Sequence, residues 1–271
     1  MTSTSTYTAT EVFSRINEAL DAARTIFARF TPGDVATRFK QGDDPVTEAD
    51  TQVDAALRKI LLRPEEGWLS EESVDDAVRL EREWVWIVDP LDGTREFVEG
   101  IPEWCVSIGL VHNGQPYAGG ICNPATGETI VGTVETGVLL NGKPAHPSQR
   151  TSLAGTVVLA SRSEVKRKEW EQFQGKSFEI RPTGSVAYKL GCVAAGLCDA
   201  TWTLTPKHEW DVAAGVALIL SAGGFVSTVD QSPLYFNNRK PKLSGLLAGG
   251  AGLKTEILAL TANAKMGQLE R

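Results

Sequence analysis

The segment Asp89-Pro90-Leu91-Asp92-Gly93-Thr94 constrains this chain more than any other part of its sequence. It directly follows the apolar run 84–88, which is rich in β-branched and aromatic residues and predicts a buried strand. Two carboxylates on a turn that contains proline and glycine repel each other unless a cation lies between them. Hard oxygen ligands favour Mg²⁺, Ca²⁺ or Mn²⁺, and the backbone N–H groups of Gly93 and Thr94 can face an anion beside the metal. The sequence therefore predicts a strand that ends in a divalent-cation site.

The composition is typical of a globular protein with an apolar core, since 42% of the 271 residues are hydrophobic and 23% are charged. The net charge of −7 and the lack of a basic stripe argue against a nucleic-acid polymer as partner. The sequence contains no signal-peptide pattern, no run of 18 apolar residues and no C-x-x-C pair among its four cysteines. We expect a cytoplasmic protein with reduced thiols, no membrane partner and no zinc site.

The first half of the chain predicts helices followed by strands. Apolar spacing predicts an amphipathic helix over about 9–30, and Thr47 with Asp50 forms a capping-box pattern at the start of a second helix. Residues 64–83 are polar and acidic and predict a loop with at most a short helix. Turn-separated strands, which favour a largely antiparallel sheet, are predicted at 84–88, 104–111, 116–122, 128–134 and 137–140.

The second half predicts an alternation of strands and helices, which is typical of an α/β arrangement. Strands are predicted at 157–160, 178–181, 200–204 and 246–248, and helices at 164–174, 184–196, 210–222 and 253–264. We expect an N-terminal α+β half, residues 1–150, that carries most of the metal ligands. The C-terminal α/β half, residues 151–271, would carry Asp211 and substrate contacts, and the two halves would pack as one functional unit.

Five acidic residues lie at the ends of predicted elements: Asp44, Glu71, Asp89, Asp92 and Asp211. An element end places a side chain at a rim, where active sites form, rather than in a core. A site for two or three metal ions needs roughly this many carboxylates. Each acid taken alone is more often a solvated surface residue, but the pair Asp89 and Asp92 after a buried strand favours a metal site.

Four blocks of this sequence, in order along the chain, resemble those of the inositol monophosphatase family. They are Asp44-Pro45-Val46-Thr47-Glu48-Ala49-Asp50, Ser70-Glu71-Glu72-Ser73, Asp89-Pro90-Leu91-Asp92-Gly93-Thr94 and Glu209-Trp210-Asp211-Val212-Ala213-Ala214-Gly215. The resemblance extends over about residues 9–262. It implies a layered αβαβα sandwich of the α/β class, usually a homodimer, and Mg²⁺-dependent, often lithium-sensitive hydrolysis of a small phosphorylated metabolite.

The resemblance also implies roles for individual residues around two to three Mg²⁺ ions. Glu71, Asp89 and the carbonyl oxygen of Leu91 would hold the first ion. Asp89, Asp92 and Asp211 would hold the second, and Glu71 would also face a looser third ion.

The catalytic residues that the resemblance implies are Asp44, Glu71 and Thr94. Asp44 and Thr94 would form a hydrogen-bonded pair beside the attacking water, which Glu71 and Thr94 would orient for in-line attack on phosphorus. Positioning and electrostatics then carry the rate, and no covalent intermediate is required.

The residues outside these blocks leave the substrate open. Leu69-Ser70-Glu71-Glu72 and Arg95-Glu96-Phe97 resemble the 3′(2′),5′-bisphosphate nucleotidase branch of the family. Inositol enzymes usually carry a glutamate seven residues before the last aspartate, and Leu204 at this position cannot accept hydrogen bonds from ring hydroxyls. A bisphosphate nucleotidase is the preferred interpretation. The alternative is an inositol-1-monophosphatase or another small sugar or histidinol phosphate phosphatase.

The predicted substrate contacts are Gly93, Thr94, Arg95, Gly184, Ser185 and Lys189. The block Gly184-Ser185-Val186-Ala187-Tyr188-Lys189 resembles the nucleotidase substrate block with its lysine one place later, and we expect Arg95 and Lys189 to face an anion. Two other classes are disfavoured. If the chain were a non-catalytic binding protein, we would expect one of the metal-ligating residues to be lost, yet all five acids and Thr94 are present. A glycosidase with paired carboxylates needs no metal.

Overall fold

The computed structural model describes residues 7–39 and 45–266. The α-helices of these residues are α1 Ala9–Phe27, α2 Glu48–Leu61, α3 Thr94–Glu99, α4 Arg162–Lys166, α5 Val186–Ala194, α6 Glu209–Ser221 and α7 Lys254–Thr261. Short 3₁₀ helices lie at Val78–Glu81, Glu171–Phe173 and Ala251–Leu253. None of these helices is both long and apolar enough to span a bilayer.

The first sheet has seven strands in the order β3-β4-β5-β6-β7-β8-β9. They are β3 Gly67–Ser70, β4 Trp84–Asp92, β5 Cys105–His112, β6 Gln115–Asn123, β7 Glu128–Thr133, β8 Gly137–Leu140 and β9 Lys143–Ala145. All neighbours are antiparallel except β3 and β4, which are parallel. The predicted antiparallel arrangement is therefore confirmed, but the prediction of a loop over 64–83 was wrong for β3. This strand is only four residues long and pairs in parallel with a strand beyond the next loop, which its own sequence does not indicate.

The second sheet has five strands in the order β11-β10-β12-β16-β14. They are β10 Val157–Ser161, β11 Glu179–Thr183, β12 Ala200–Thr203, β14 Phe225–Thr228 and β16 Leu246–Gly249. The first three are mutually parallel, whereas β16 runs antiparallel to both of its neighbours. Two small antiparallel pairs complete the strands of the described residues: β1 Thr37–Phe39 with β2 Pro45–Thr47, and β13 Lys207–His208 with β15 Lys242–Leu243. The single helix predicted over 164–174 is instead α4 and a 3₁₀ helix, interrupted at Lys168, whose φ is +65°.

The elements stack in five layers, so the predicted αβαβα sandwich is confirmed. Helices α1 and α2 cover one face of the first sheet, α5 and α6 lie between the two sheets, and α7 covers the outer face of the second sheet. Strand β4 shows why its sequence is apolar throughout. Trp86 and Val88 pack with α1 and α2, while Val85 and Ile87 pack with the middle helices, so both faces of this strand are buried.

Helix α6 lies unusually close to the first sheet because glycines face it. A Cβ on Gly119 of β6 would lie 2.4 Å from the carbonyl oxygen of Ala214, and one on Gly109 of β5 would lie 2.9 Å from the nitrogen of the same residue. Small residues on both sides thus allow the helix to approach the strands. This contact fixes where the beginning of α6, with Asp211, meets the end of β4.

A buried ion pair anchors α1 to the segment that leads into β3. Arg15 donates from its two terminal nitrogens to the two carboxylate oxygens of Glu66, at 2.9 and 2.7 Å, and Trp86 Nε1 donates to Glu66 Oε2 at 3.0 Å. The two charged side chains are 8% and 0% exposed. Removing one partner of such a pair leaves the other charge buried without compensation.

We predict that Arg15→Met lowers the free energy of unfolding by about 3–5 kcal/mol, measured by urea denaturation. Arg24→Met in the same helix is the matched control. Arg24 pairs with Asp21 on the surface, where the side chains are 41% and 68% exposed, so the loss there should stay under about 1 kcal/mol. Equal losses for the two variants would contradict this account.

Candidate active site

The parallel pairing of β3 and β4 brings Glu71 and Asp89 to one edge of the first sheet. Ser70 is paired with Val88, so Glu71, which follows β3, lies at the level of Asp89, which is still part of β4 and is paired with Ser107 of β5. The backbone N–H of Glu71 still donates to the carbonyl oxygen of Val88 at 3.3 Å. The strand that the sequence analysis missed is therefore the element that positions Glu71.

The turn after β4 presents Asp92 and Thr94 beside these acids. Gly93 has a φ of +95°, and a Cβ there would lie 2.9 Å from the carbonyl oxygen of Glu103, so only glycine fits this turn without strain. Thr94 opens α3, and its hydroxyl lies 2.9 Å from the carbonyl oxygen of Leu91 and 3.3 Å from Asp50 Oδ1. Asp44, the predicted partner of Thr94, lies outside the described residues.

Asp92 is held by the C-terminal half of the chain. Its Oδ2 accepts hydrogen bonds from the Ser185 hydroxyl at 2.7 Å and from the Ala187 N–H at 2.6 Å. Ser185 caps α5 with a φ of +54°. Asp211 is the third residue of α6, and its Oδ2 accepts from the His208 N–H at 2.9 Å in a capping box. The starts of the two middle helices therefore fix two of the acids.

Glu71, Asp89, Asp92 and Asp211 all line one cleft of about 350 Å³. Burial, followed by repulsion from Glu71, Asp92 and Asp211, raises the pKa of Asp89 well above its ordinary value. Burial, followed by Asp92 and Glu71, likewise raises the pKa of Asp211, and Lys207 opposes this shift only in part. The cleft thus concentrates negative charge that its own residues do not balance.

The acids of the cleft fit a divalent cation in their chemistry. In Asp89, Asp92 and Asp211, one carboxylate oxygen accepts from the protein, and no described residue donates a hydrogen bond to the other. Across residues 7–39 and 45–266, no three histidine, cysteine or acidic side chains are already arranged to hold a metal ion. Binding therefore requires the acidic side chains to turn toward a common point, which attraction to a cation favours. The individual ligand assignments remain predictions.

All six predicted substrate residues line the cleft, and Gly184, Ser185 and Lys189 form hydrogen bonds within the protein. The Gly184 N–H donates to Glu103 Oε2 at 2.6 Å, and the Ser185 hydroxyl donates to Asp92. Lys189 is 3% exposed, and its ammonium group donates to the carbonyl oxygens of Ser185 at 2.7 Å and Thr183 at 3.3 Å. In this arrangement Lys189 braces the turn that carries Ser185.

The cleft also contains residues that the sequence analysis did not assign to it. They include Ser161, Ser163, Arg167 and Lys207 of the C-terminal half. Lys207 lies four residues before Asp211, a spacing that could have marked it, whereas nothing in the local sequence marks Arg167. Leu204 is 5% exposed, packs in the core of the second sheet and is not among the residues that line the cleft.

The model of the inositol monophosphatase family matches residues 6–265 of this chain. The chain belongs to the inositol monophosphatase family. It is 34% identical over 204 residues to an inositol-1-monophosphatase of a Synechocystis species, covering 70% of this chain and 69% of that protein. It is 33% identical over 198 residues to a fructose-1,6-bisphosphatase/inositol-1-monophosphatase of Thermotoga maritima, covering 70% and 73%.

A solved structure of the extragenic suppressor protein suhB from Bartonella henselae has the same fold. Its TM-score is 0.81 at 28% identity, covering 94% of this chain and 99% of that one. Members of the family hydrolyse phosphomonoesters and depend on a metal ion, usually Mg²⁺, so this chain is a phosphatase of that type. The preference for the bisphosphate nucleotidase branch stays a prediction, since none of these relatives is named for that activity.

The raised pKa values predict an unusual pH dependence of stability without metal. An acid whose pKa is higher in the folded chain stabilises the fold below its ordinary pKa, which is 3.8 for Asp211, and this contribution is lost as the pH rises through the folded-state value. In chelator, Asp211→Asn should therefore become progressively more stable than the unmodified protein as the pH rises above about 4. Denaturant unfolding at several pH values measures this difference.

Adding Mg²⁺ should reverse the order of the two proteins. Free Mg²⁺ at roughly 100 times its Kd should stabilise the unmodified protein by about 2.7 kcal/mol, and Asp211→Asn should gain less. Asp34→Asn, at an exposed loop residue, is the control and should follow the unmodified protein at every pH. A pH profile unchanged by Asp211→Asn would contradict the proposed repulsion.

Proposed function

We propose that this chain removes phosphate from a small phosphorylated metabolite by direct attack of water, with Mg²⁺ bound by the acids of the cleft. The ligands would be Glu71, Asp89, the carbonyl oxygen of Leu91, Asp92 and Asp211. The observation that carries the proposal is the convergence of four carboxylates, from β3, β4 and α6, on one cleft beside Thr94. When bound, Mg²⁺ neutralises phosphoryl oxygens and lowers the pKa of water.

The residues around the acids support hydrolysis rather than binding alone. The Thr94 hydroxyl is fixed by the Leu91 carbonyl and Asp50, so it can orient a water beside Glu71. The backbone N–H groups of Gly93 and Thr94 lie at a turn with a positive φ, which is the kind of backbone that receives phosphoryl oxygens. Positioning of water and phosphate by fixed groups accounts for most of the rate in such reactions.

Two substrate classes follow from different observations. The names of the relatives favour an inositol phosphate or a sugar phosphate. The motif around Arg95 favours a nucleoside 3′,5′-bisphosphate. The burial of Leu204 favours it as well, because position 204 provides no carboxylate to accept hydrogen bonds from the hydroxyls of an inositol ring. Both are small alcohols esterified with phosphate, so the same chemistry serves either one.

We predict phosphate release that Mg²⁺ supports and chelator abolishes, measured on inositol 1-phosphate, adenosine 3′,5′-bisphosphate, fructose 1,6-bisphosphate and histidinol phosphate. Asp92→Asn should lower kcat at least about 100-fold, because it removes a charge from the predicted metal site. Thr94→Val should lower kcat by about 10–100-fold, because it removes the hydroxyl that orients water.

Two controls make this result interpretable. Asp230→Asn, at an exposed residue that does not line the cleft, should leave kcat unchanged, and circular dichroism should show that the Asp92 and Thr94 variants fold. The absence of chelator-sensitive turnover of any of these esters would refute the proposal. Release of sugar in the presence of chelator would instead support a glycosidase.

A further inference from the structure

The side of the cleft that Ser161, Ser163, Arg167 and Lys207 line carries two cations, and each of them pairs with a carboxylate that is not among the cleft-lining residues. Lys207 Nζ lies 3.2 Å from Glu164 Oε1, and Arg167 Nε donates to Glu169 Oε1 at 2.7 Å. Of each pair, only the cation is among the residues that line the cleft. The cleft therefore receives the positive member of two ion pairs.

The carboxylates behind the cations are fixed by further donors. Glu164 is 1% exposed and also accepts from the Thr203 hydroxyl at 2.5 Å and from Trp170 Nε1 at 3.1 Å. Glu169 also accepts from the Thr205 hydroxyl at 3.1 Å. A carboxylate held by several donors fixes the position of its cation, which reduces the entropy lost when that cation binds an anion.

Two hydroxyls lie on the same side of the cleft. Ser161 ends β10 and Ser163 lies in α4, and their hydroxyl oxygens are 3.0 Å apart. Both line the cleft together with Arg167 and Lys207. Two cations and two hydroxyls are groups that bind a phosphate, through charge and through hydrogen bonds to its oxygens.

This cationic side lies next to the metal site without being part of it. Lys207 is in β13, which leads directly into α6 and Asp211. The phosphate that is hydrolysed would be neutralised at the acidic side, as proposed above, so these cations remain for another group of the substrate. A cleft of about 350 Å³ is within the size range that holds a small metabolite.

We infer that Arg167 and Lys207 form a subsite for a second phosphate, carried by the alcohol from which the first phosphate is removed. This inference rests on the proposed function and narrows its substrate class to small bisphosphates. Arg167 and Lys207 are specificity-determining residues in this account, and they take no part in the attack of water on phosphorus.

The test compares substrates that differ only in the second phosphate. The pairs are fructose 1-phosphate with fructose 1,6-bisphosphate, and adenosine 3′-phosphate with adenosine 3′,5′-bisphosphate, all with Mg²⁺. The unmodified protein should prefer the bisphosphate of at least one pair by more than about 10-fold in kcat/KM, the gain expected from one charge-assisted hydrogen bond or more.

Lys207→Gln and Arg167→Gln should each lower kcat/KM for that bisphosphate by about 10–100-fold, mainly through KM. For the matched monophosphate the change should be less than about 3-fold, because no second phosphate is present to lose a contact. Lys207→Arg keeps the charge and should retain most of the preference. Lys240→Gln, at an exposed lysine that does not line this cleft, is the matched control and should change neither value.

Two results would overturn the inference. One is the absence of a bisphosphate preference in both pairs. The other is an equal loss on both members of a pair, since Lys207 and Arg167 would then contact the phosphate that is hydrolysed. A protein that releases no phosphate from any ester with Mg²⁺ would overturn the proposed function as well, and this outcome is distinct from the other two.

Discussion

Mutual repulsion among four carboxylates in one cleft is the constraint on which the rest of this structure depends. Glu71, Asp89, Asp92 and Asp211 line one cleft, and burial together with repulsion raises the pKa of Asp89 and of Asp211. A fold tolerates such an arrangement only when packing elsewhere holds the acids in place. A divalent cation bound between the carboxylates would relieve this repulsion. The repulsion therefore lowers the stability of the metal-free protein and favours the binding of a metal ion.

The layers of the sandwich supply that packing. The first sheet is covered on both faces, so the end of β4 is fixed by apolar contacts with α1 and α2 on one face and with α5 and α6 on the other. Glycines of β5 and β6 allow α6 to lie close to the sheet, which sets Asp211 beside the end of β4. Helix α5 holds Asp92 through Ser185 and Ala187. The proposed metal site therefore depends on contacts between both halves of the chain.

Local patterns in the sequence were sufficient for much of this fold. The apolar run of β4, its Pro/Gly turn and the capping box at Thr47 and Asp50 are encoded within a few residues, and the structure contains all three. Two predictions of secondary structure were wrong, and one of them involves residues distant in the sequence. Strand β3 exists because β4 lies beside it, and the helix predicted at 164–174 breaks where Lys168 takes a positive φ. The role of Lys189 toward an anion stays a prediction: Lys189 lines the cleft, and its ammonium group donates to the carbonyl oxygen of Ser185, one helical turn before it.

The acidic side of the cleft identifies the family, whereas the cationic side bears on the choice of substrate. The acidic side consists of the blocks by which the family is identified, and relatives named for inositol phosphate and for fructose 1,6-bisphosphate belong to the same family. We therefore infer that substrate choice comes mainly from the other side, which residues of the C-terminal half line. On that side Leu204 is buried in the core, and the cleft is lined by Arg167 and Lys207, which pair with Glu169 and Glu164. A ring with many hydroxyls would form few favourable contacts with this surface. An anion would form ion pairs and hydrogen bonds with groups that are already held in position. On the inferred second-phosphate subsite, the selection of substrate is an electrostatic property of residues from the C-terminal half of the chain.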